Sequence, residues 1–230
     1  LDRRTTLLVG AGSSICGAAA VLATAPVVKG RAQDVAVAVA TVVVFGTLGM
    51  FLYPALYHWN ASWDWIDMNA QQYGLYVGAT VHEVAQVVAA GAAIGPEAAA
   101  TAVIAKMTRV MMLAPFLLVL SFFLARARHG AAAGQKDAGG SRAITIPWFA
   151  LGFVAMAGVN SLDMLPDAVV RAGVRLDDLL LAMAMAALGL TTHVRAVRAA
   201  GLRPLLLAAA LFAWLLGAGL LLSRYLPQWP

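Results

Sequence analysis

The sequence predicts an all-α polytopic membrane protein built from inverted repeats, with two broken helices that are either re-entrant or discontinuous. Three observations predict it. First, 62% of the 230 residues are hydrophobic, 12% are charged, and the mean hydropathy is +0.81, whereas a soluble domain is nearer half apolar and a quarter charged. Second, the apolar residues fall into a series of runs, several of them near the ~20 residues that cross a bilayer as a helix. Third, a small-residue motif occurs twice in the first half, each time interrupting an apolar run. The expected organisation is a single transmembrane transporter domain over residues 1–230. The chain opens on leucine, so an N-terminally truncated piece of a longer protein is expected.

Thr5 to Val28 is apolar but carries Gly10, Gly12-Ser13-Ser14 and Gly17, and it closes at Pro26. Val35 to Tyr57 is uninterrupted and long enough to span. His58 to Gln71 mixes Trp59, Trp63 and Trp65 with Asp64 and Asp67, a composition suited to the membrane–water interface. Leu75 to Ile94 is apolar except for His82, Glu83 and Gln86. Gly95-Pro96-Glu97 reads as a turn with proline near a helix start. Ala98 to Leu124 follows, with Lys106 and Arg109 inside it. Arg126 to Arg142 reads as a basic, Gly/Ala-rich flexible loop. Ile146 to Asn160 is apolar, and Asp163 to Asp178 mixes charges. Leu179 to Thr192 is apolar and ends in Thr191-Thr192-His193, Arg195 to Arg203 is basic, and Leu205 to Leu222 is the last span.

The repeat aligns Gly12 to Val21 with Gly78 to Val87, and Met50-Phe51-Leu52-Tyr53-Pro54 with Met111-Met112-Leu113-Ala114-Pro115. If every apolar run spans once, the basic loops around Lys29, Arg126–Arg142 and Arg195–Arg203 cannot share a side. If Thr5–Val28 and Gln71–Ile94 enter and return, all three lie together on the cytoplasmic side, as the positive-inside rule requires. That topology has five spans and two re-entrant hairpins, with the two repeats oppositely oriented. Spanning discontinuous helices are the alternative, and either arrangement needs protein or a water-filled cavity around the irregular backbone.

Charged residues at such depth are costly and mark an ion or substrate pathway by default. Glu83 reads as a proton or ion site, or as a structural ion pair with Lys106 or Arg109. Lys106 and Arg109 either face an anion or snorkel toward headgroups. His82 reads as a proton relay or as a packing residue, and Gln86 as a hydrogen-bonding partner at a helix contact. Glu83, Lys106 and Arg109 together leave one surplus positive charge, which favours an anionic substrate. Ser13, Ser14, Cys16 and Thr80 lie in the repeated motif, where half-helix N-termini at the midplane would attract anions. Close small-residue packing is the competing reading of that motif. Thr191, Thr192 and His193 are a candidate gate or an interfacial helix end.

His82-Glu83-Val84-Ala85-Gln86 falls one residue short of a His-Glu-x-x-His zinc signature, because Gln86 stands where the second imidazole is needed. No enzyme activity, metal site or cofactor is therefore expected. The formal charge of +5 sits in short loops and is no nucleic-acid signal, and the single cysteine allows no internal disulfide.

Four stretches resemble one known family: Gly10 to Ala20, Thr80 to Gly91, Arg109 to Phe116, and Ala186 to His193. They resemble the YeiH-like bacterial inner-membrane proteins, often called sulfate exporters, and the resemblance covers essentially the whole chain. It implies further N-terminal helices and a plan similar to that of inverted-repeat transporters such as the bile-acid/sodium symporters. It also implies outward transport of a small inorganic or sulfonate-like anion, sulfate first. One departure is Ala25 before Pro26, where an acidic residue is expected of relatives. Partners are then the lipid bilayer and the anion, with protons as candidate coupling ion and a homo-oligomer left open. Two other readings stand beside this one: a cation/proton antiporter centred on Glu83, and a non-transporting membrane scaffold or sensor whose buried charges pair with each other.

Overall fold

A computed structural model describes residues 1–63, 66–129, 165–191 and 201–225, with individual residues between 152 and 162. Every regular element among them is an α-helix. In chain order these are α1 (Arg3–Ser14), α2 (Ala18–Val28), α3 (Ala32–Trp63), α4 (Ala70–Thr80), α5 (Val84–Ile94), α6 (Pro96–Met111), α7 (Leu113–His129), α8 (Asp167–Thr191) and α9 (Leu202–Tyr225). Three stretches of the described chain are long and apolar enough to cross a membrane: Ala32–Asn60, Pro96–Leu124 and Leu202–Tyr225. Their outward faces carry Phe51, Ile104, Phe122, Phe123, Trp214 and Leu222, while polar side chains such as Thr41, Thr80 and Gln86 are buried. This distribution suits a hydrocarbon solvent. Leu179 to Thr191 forms the second half of α8, whose first half carries Arg171, Arg175, Asp177 and Asp178. The expected span Ile146–Asn160 and the loops Arg126–Arg142 and Arg195–Arg203 lie wholly or mostly outside the described residues.

Two sequence boundaries are corrected. α3 runs on to Trp63 instead of ending near Tyr57, because nothing in His58 to Asn60 breaks the helical ladder. The run Ala98 to Leu124 is divided at Met112, where the amide of Met112 bonds Arg109 O at 3.2 Å in a tightened turn. Pro115 has no N–H to offer the Met111 carbonyl, so the ladder is interrupted there.

α1 and α2 fold back on each other. Gly12 lies against Val21, and Gly30, just past α2, lies against Leu8. A Schellman closure ends α2: Gly30 N–H donates to Ala25 O at 2.8 Å and Lys29 takes a left-handed φ of 54°. Arg31 then reaches back to Asp2 at 3.6 Å and to Asp34 at 3.0 Å, and Thr5 donates to Asp34 at 3.1 Å. The first hairpin therefore opens beside the start of α3. Donating to the Asp34 carboxylate holds the Arg31 guanidinium above its usual pKa.

α4 and α5 fold back likewise. α6 runs parallel to α4, with Gly74 on the Ala98 backbone and Gly78 on that of Ala102, and antiparallel to α5, with Gly91 on Ala99. Gly-x-x-x-Gly facing Ala-x-x-x-Ala lets the backbones approach closely. The mouth of this hairpin lies at the other end of α3: Tyr73 Oη donates to Tyr53 O at 3.0 Å, and His58 Nε2 lies 3.2 Å from Ala93 O. Replacing Gly78 by Leu would drive a side chain into the Ala102 carbonyl and Ala105. We expect a loss of about 2–4 kcal/mol, read as a lowered melting temperature in detergent, while Gly152→Leu, with open space around it, leaves it unchanged.

α7 carries the chain from the crossing toward the first hairpin's helices, since Leu117 joins the cluster of Ile15 and Cys16 whereas Leu120 and Leu124 pack against the cluster of Leu8, Val9, Val21 and Val28. α9 crosses the bundle from Ala208 beside Leu8, through Phe212, to Leu216, whose carbonyl accepts from Tyr76 Oη at 2.8 Å.

Candidate functional site

The two hairpins point at each other, and their tips meet midway along the bundle. α1 stops at Ser14 and α2 starts at Ala18, while α4 stops at Thr80 and α5 starts at Val84. The matching boundaries sit 66 residues apart (80 less 14, 84 less 18), which is the offset of the repeated motif. Residues 15–17 and 81–83 are thus the non-helical tips, and four helix ends converge there: the C-termini of α1 and α4 and the N-termini of α2 and α5. Carbonyls at helix C-termini lack intrahelical donors and need a partner when buried.

α6 supplies those partners. Lys106 and Arg109 are three residues apart on one face. Lys106 Nζ is fully buried and donates to Ile15 O at 3.0 Å, to Val81 O at 2.8 Å and to His82 O. Arg109 donates through Nε to Ser14 O at 2.7 Å, through Nη1 to Val81 O at 3.1 Å, and through Nη2 to Ser13 O. Two cations therefore sit on the negative dipole ends of α1 and α4. Snorkelling toward headgroups is not what the Lys106 side chain does. An ammonium has three N–H groups and Lys106 uses all three, while a guanidinium has five and Arg109 uses three. Only Arg109 keeps donors for anything else.

Glu83 plays the opposite part. Its Oε1 accepts from Ala18 N at 3.2 Å, placing a carboxylate on the positive end of α2 across from its own hairpin. The Glu83 amide donates to Gln86 Oε1 at 3.2 Å. The ion pairs found among the described residues both involve Arg31, so the alternative reading of Glu83 as an ion-pair partner of Lys106 or Arg109 is not the arrangement here. Glu83 also packs against Gly17, its partner in the repeat alignment.

The His82 ring is buried, with Phe212 at 6.1 Å between centroids, and its Nδ1 has no hydrogen-bond partner. Ser13 Oγ is likewise buried and unpartnered. Ser14 is exposed, Thr80 Oγ1 donates back to Tyr76 O at 2.5 Å, and Cys16 is buried against Ile15, Ala20 and Val110. Gln86 presses against Gly46 of α3. Ser13, Ser14, Cys16, Thr80, His82, Glu83, Gln86, Lys106 and Arg109 are thus gathered at the crossing. Thr191 closes α8, and its side chain, with Thr192 and His193, lies outside the described residues.

Sequence reading missed three groups. Gly17 was legible from the repeat, which sets it against Glu83. Ala18 carries only a backbone donor and leaves no sequence signal. Tyr53, Tyr73 and Tyr76 stack between the second mouth and the crossing, with ring centroids 4.8 Å apart for Tyr53–Tyr76 and 5.4 Å for Tyr73–Tyr76. Their spacing, with Tyr73 and Tyr76 three apart on one face of α4, was the available signal.

Residues 1–208 match a family model described as conserved hypothetical protein 698. A UPF0324 membrane protein of Pseudomonas aeruginosa is 64% identical over 224 residues, 97% of this chain and 62% of its own length. The UPF0324 inner membrane protein YeiH of Escherichia coli K12 is 58% identical over 221 residues, 95% of this chain and 60% of its own. A UPF0324 membrane protein of Yersinia pestis is 58% identical over 219 residues, covering 95% and 60% respectively. The chain spans about three fifths of the length of these relatives. No solved structure matches.

Proposed function

This chain, a multi-pass inner-membrane protein, belongs to the family described as conserved hypothetical protein 698; from that premise we propose that it forms the core of a proton-coupled secondary transporter that exports a small inorganic or sulfonate-like anion. The observation that carries this reading is the meeting of two half-helix hairpins, entered from opposite ends of the bundle, at a charged crossing. Broken helices meeting near the midplane are a recurrent way of holding a substrate between two repeats. The repeats are then inverted and the hairpins re-entrant. Arg3, Arg4, Lys29, Arg31 and Arg126 gather at the mouth of the first hairpin, which the positive-inside rule assigns to the cytoplasm. Asp67 and Glu97 lie at the other mouth.

The anion is held by the remaining Arg109 donors with the hydroxyls of Ser13 and Ser14 in the last turn of α1. The surplus positive charge of Lys106 and Arg109 over Glu83 offsets the charge of the substrate. Glu83 is the proton carrier: as a carboxylate it latches the second hairpin to the α2 N-terminus, and when protonated it loses the charge that makes that contact strong. Substrate and proton then compete for the balance of charge at one point, which is a basis for coupling them.

The test is efflux of radiolabelled sulfate from proteoliposomes holding the full-length protein, with and without a pH gradient. We expect efflux above protein-free vesicles that rises with the gradient. Folded protein that moves none of sulfate, sulfite and a small sulfonate under either condition overturns the reading.

A further inference from the structure

We propose that the Lys106 ammonium is a tethered replacement for a coupling metal cation, so that the hairpin crossing works without any alkali-metal ion. The carbonyls of Ile15, Val81 and His82 come from two separate hairpins and converge on one point. Converging carbonyls of unwound half-helix ends are the chemistry that strips and holds a monovalent cation. Val81 O and Ile15 O lie 2.8 and 3.0 Å from Nζ and His82 O lies nearer, a ring wide enough for an ammonium or a monovalent cation.

Here that position belongs to a side chain with no exposure to solvent, all three of whose N–H groups are used. Arg109 places a second positive charge on the neighbouring carbonyls of Ser13 and Ser14 and shares that of Val81. A mobile cation arriving at the crossing would meet two fixed like charges and carbonyls already satisfied, so it gains neither ligands nor field. Lys106 is thus a positioning residue that joins the two tips. The carbonyl ring becomes a vacant monovalent-cation site only when its side chain is removed.

The site follows from the geometry, while its consequence for coupling rests on the transporter reading. The experiment reads binding, not flux. Thermal unfolding of the full-length protein in detergent is followed in sodium, potassium, ammonium and choline chlorides at equal ionic strength. Wild type is expected to melt at the same temperature in all four. Lys106→Ala is expected to melt about 5–10 °C lower in choline, and to regain most of that loss saturably in potassium or ammonium. Lys106→Met, whose thioether chain still fills the space, is expected to show no such recovery. Saturable stabilisation of wild type by sodium or potassium overturns the proposal, as does a Lys106→Ala protein indifferent to every small cation. If Lys106→Ala does not fold, the wild-type series decides alone. A chain that passes these tests yet moves no anion removes the transport reading and leaves the tethered cation standing.

Discussion

Glu83→Gln is expected to leave the protein folded and to suppress most of the response of anion flux to a pH gradient. The amide keeps an Oε1 that can accept from Ala18 N, the contact the carboxylate makes at 3.2 Å, so the two tips stay joined. What goes is the exchangeable proton and the negative charge at the α2 N-terminus. A charge-assisted bond is roughly twice as strong as a neutral one, so a stability loss of about 1–2 kcal/mol is expected. The transport effect is larger. Coupling free energies between sites run to about 1–3 kcal/mol, or about 5- to 150-fold, and the gradient-driven component of flux should fall by a factor in that range. The measurement is efflux at several external pH values, with melting temperature as the control for folding. Wild-type flux with the wild-type pH profile would remove Glu83 as the proton carrier.

Gly17→Ala should have the largest effect on the fold. Gly17 has φ 73°, and a Cβ there would overlap Glu83 Cγ. With ψ at −134° the residue lies outside the left-handed helical well, in backbone space that is essentially glycine's alone, where an L-residue is strained by about 1–3 kcal/mol, and displacing a packed neighbour costs about 1–3 kcal/mol more. The neighbour is Glu83 itself, so the strain falls on the contact between the tips. We expect a loss of about 2–5 kcal/mol, a large share of a typical total of about 5–15 kcal/mol, together with loss of flux. Gly10→Ala, at a position with nothing within 4 Å of an added Cβ, is the matched control. Equal melting temperatures for the two variants would show that the tips do not depend on close approach at Gly17.

The two results differ in kind, and the difference separates chemistry from architecture. At Glu83 the titrating group changes while its hydrogen-bonding shape is kept. At Gly17 nothing titrates and only backbone freedom and space are lost. A protein whose crossing is a scaffold alone would lose stability at both positions, and at Glu83 would show no change in any response to pH.

Much of the architecture was legible because the bilayer as solvent leaves so few choices. Every backbone group at depth has to be satisfied within the protein, which leaves helices or a closed barrel, and long continuous apolar runs, lacking a barrel's alternation of apolar and polar residues, select helices. The repeated Gly/Ser/Thr motif fell beside both tips and not on them: Ser13, Ser14 and Thr80 are the last helical residues of α1 and α4 and so lie at helix C-termini, where the sequence suggested N-termini. The same alignment that set Cys16 beside His82 also set Gly17 beside Glu83, the two positions found in contact. The length of α3 and the division at Met112 were less legible, because helix ends depend on the local ladder of hydrogen bonds more than on hydropathy.

By itself, then, the sequence determined the solvent, the helical class and which charged residues stand inside apolar runs, all of them properties of composition and spacing along the chain. What each charge does was decided by tertiary structure alone. Lys106 and Arg109 read as partners for Glu83 or for a substrate, yet they cap the carbonyl ends of α1 and α4, and Glu83 binds the amide of Ala18. The physical reason is that their partners are backbone groups, which every residue carries. No side-chain pattern announces a backbone partner, and these become available only where two helices, 66 residues apart in sequence, end at the same point in space.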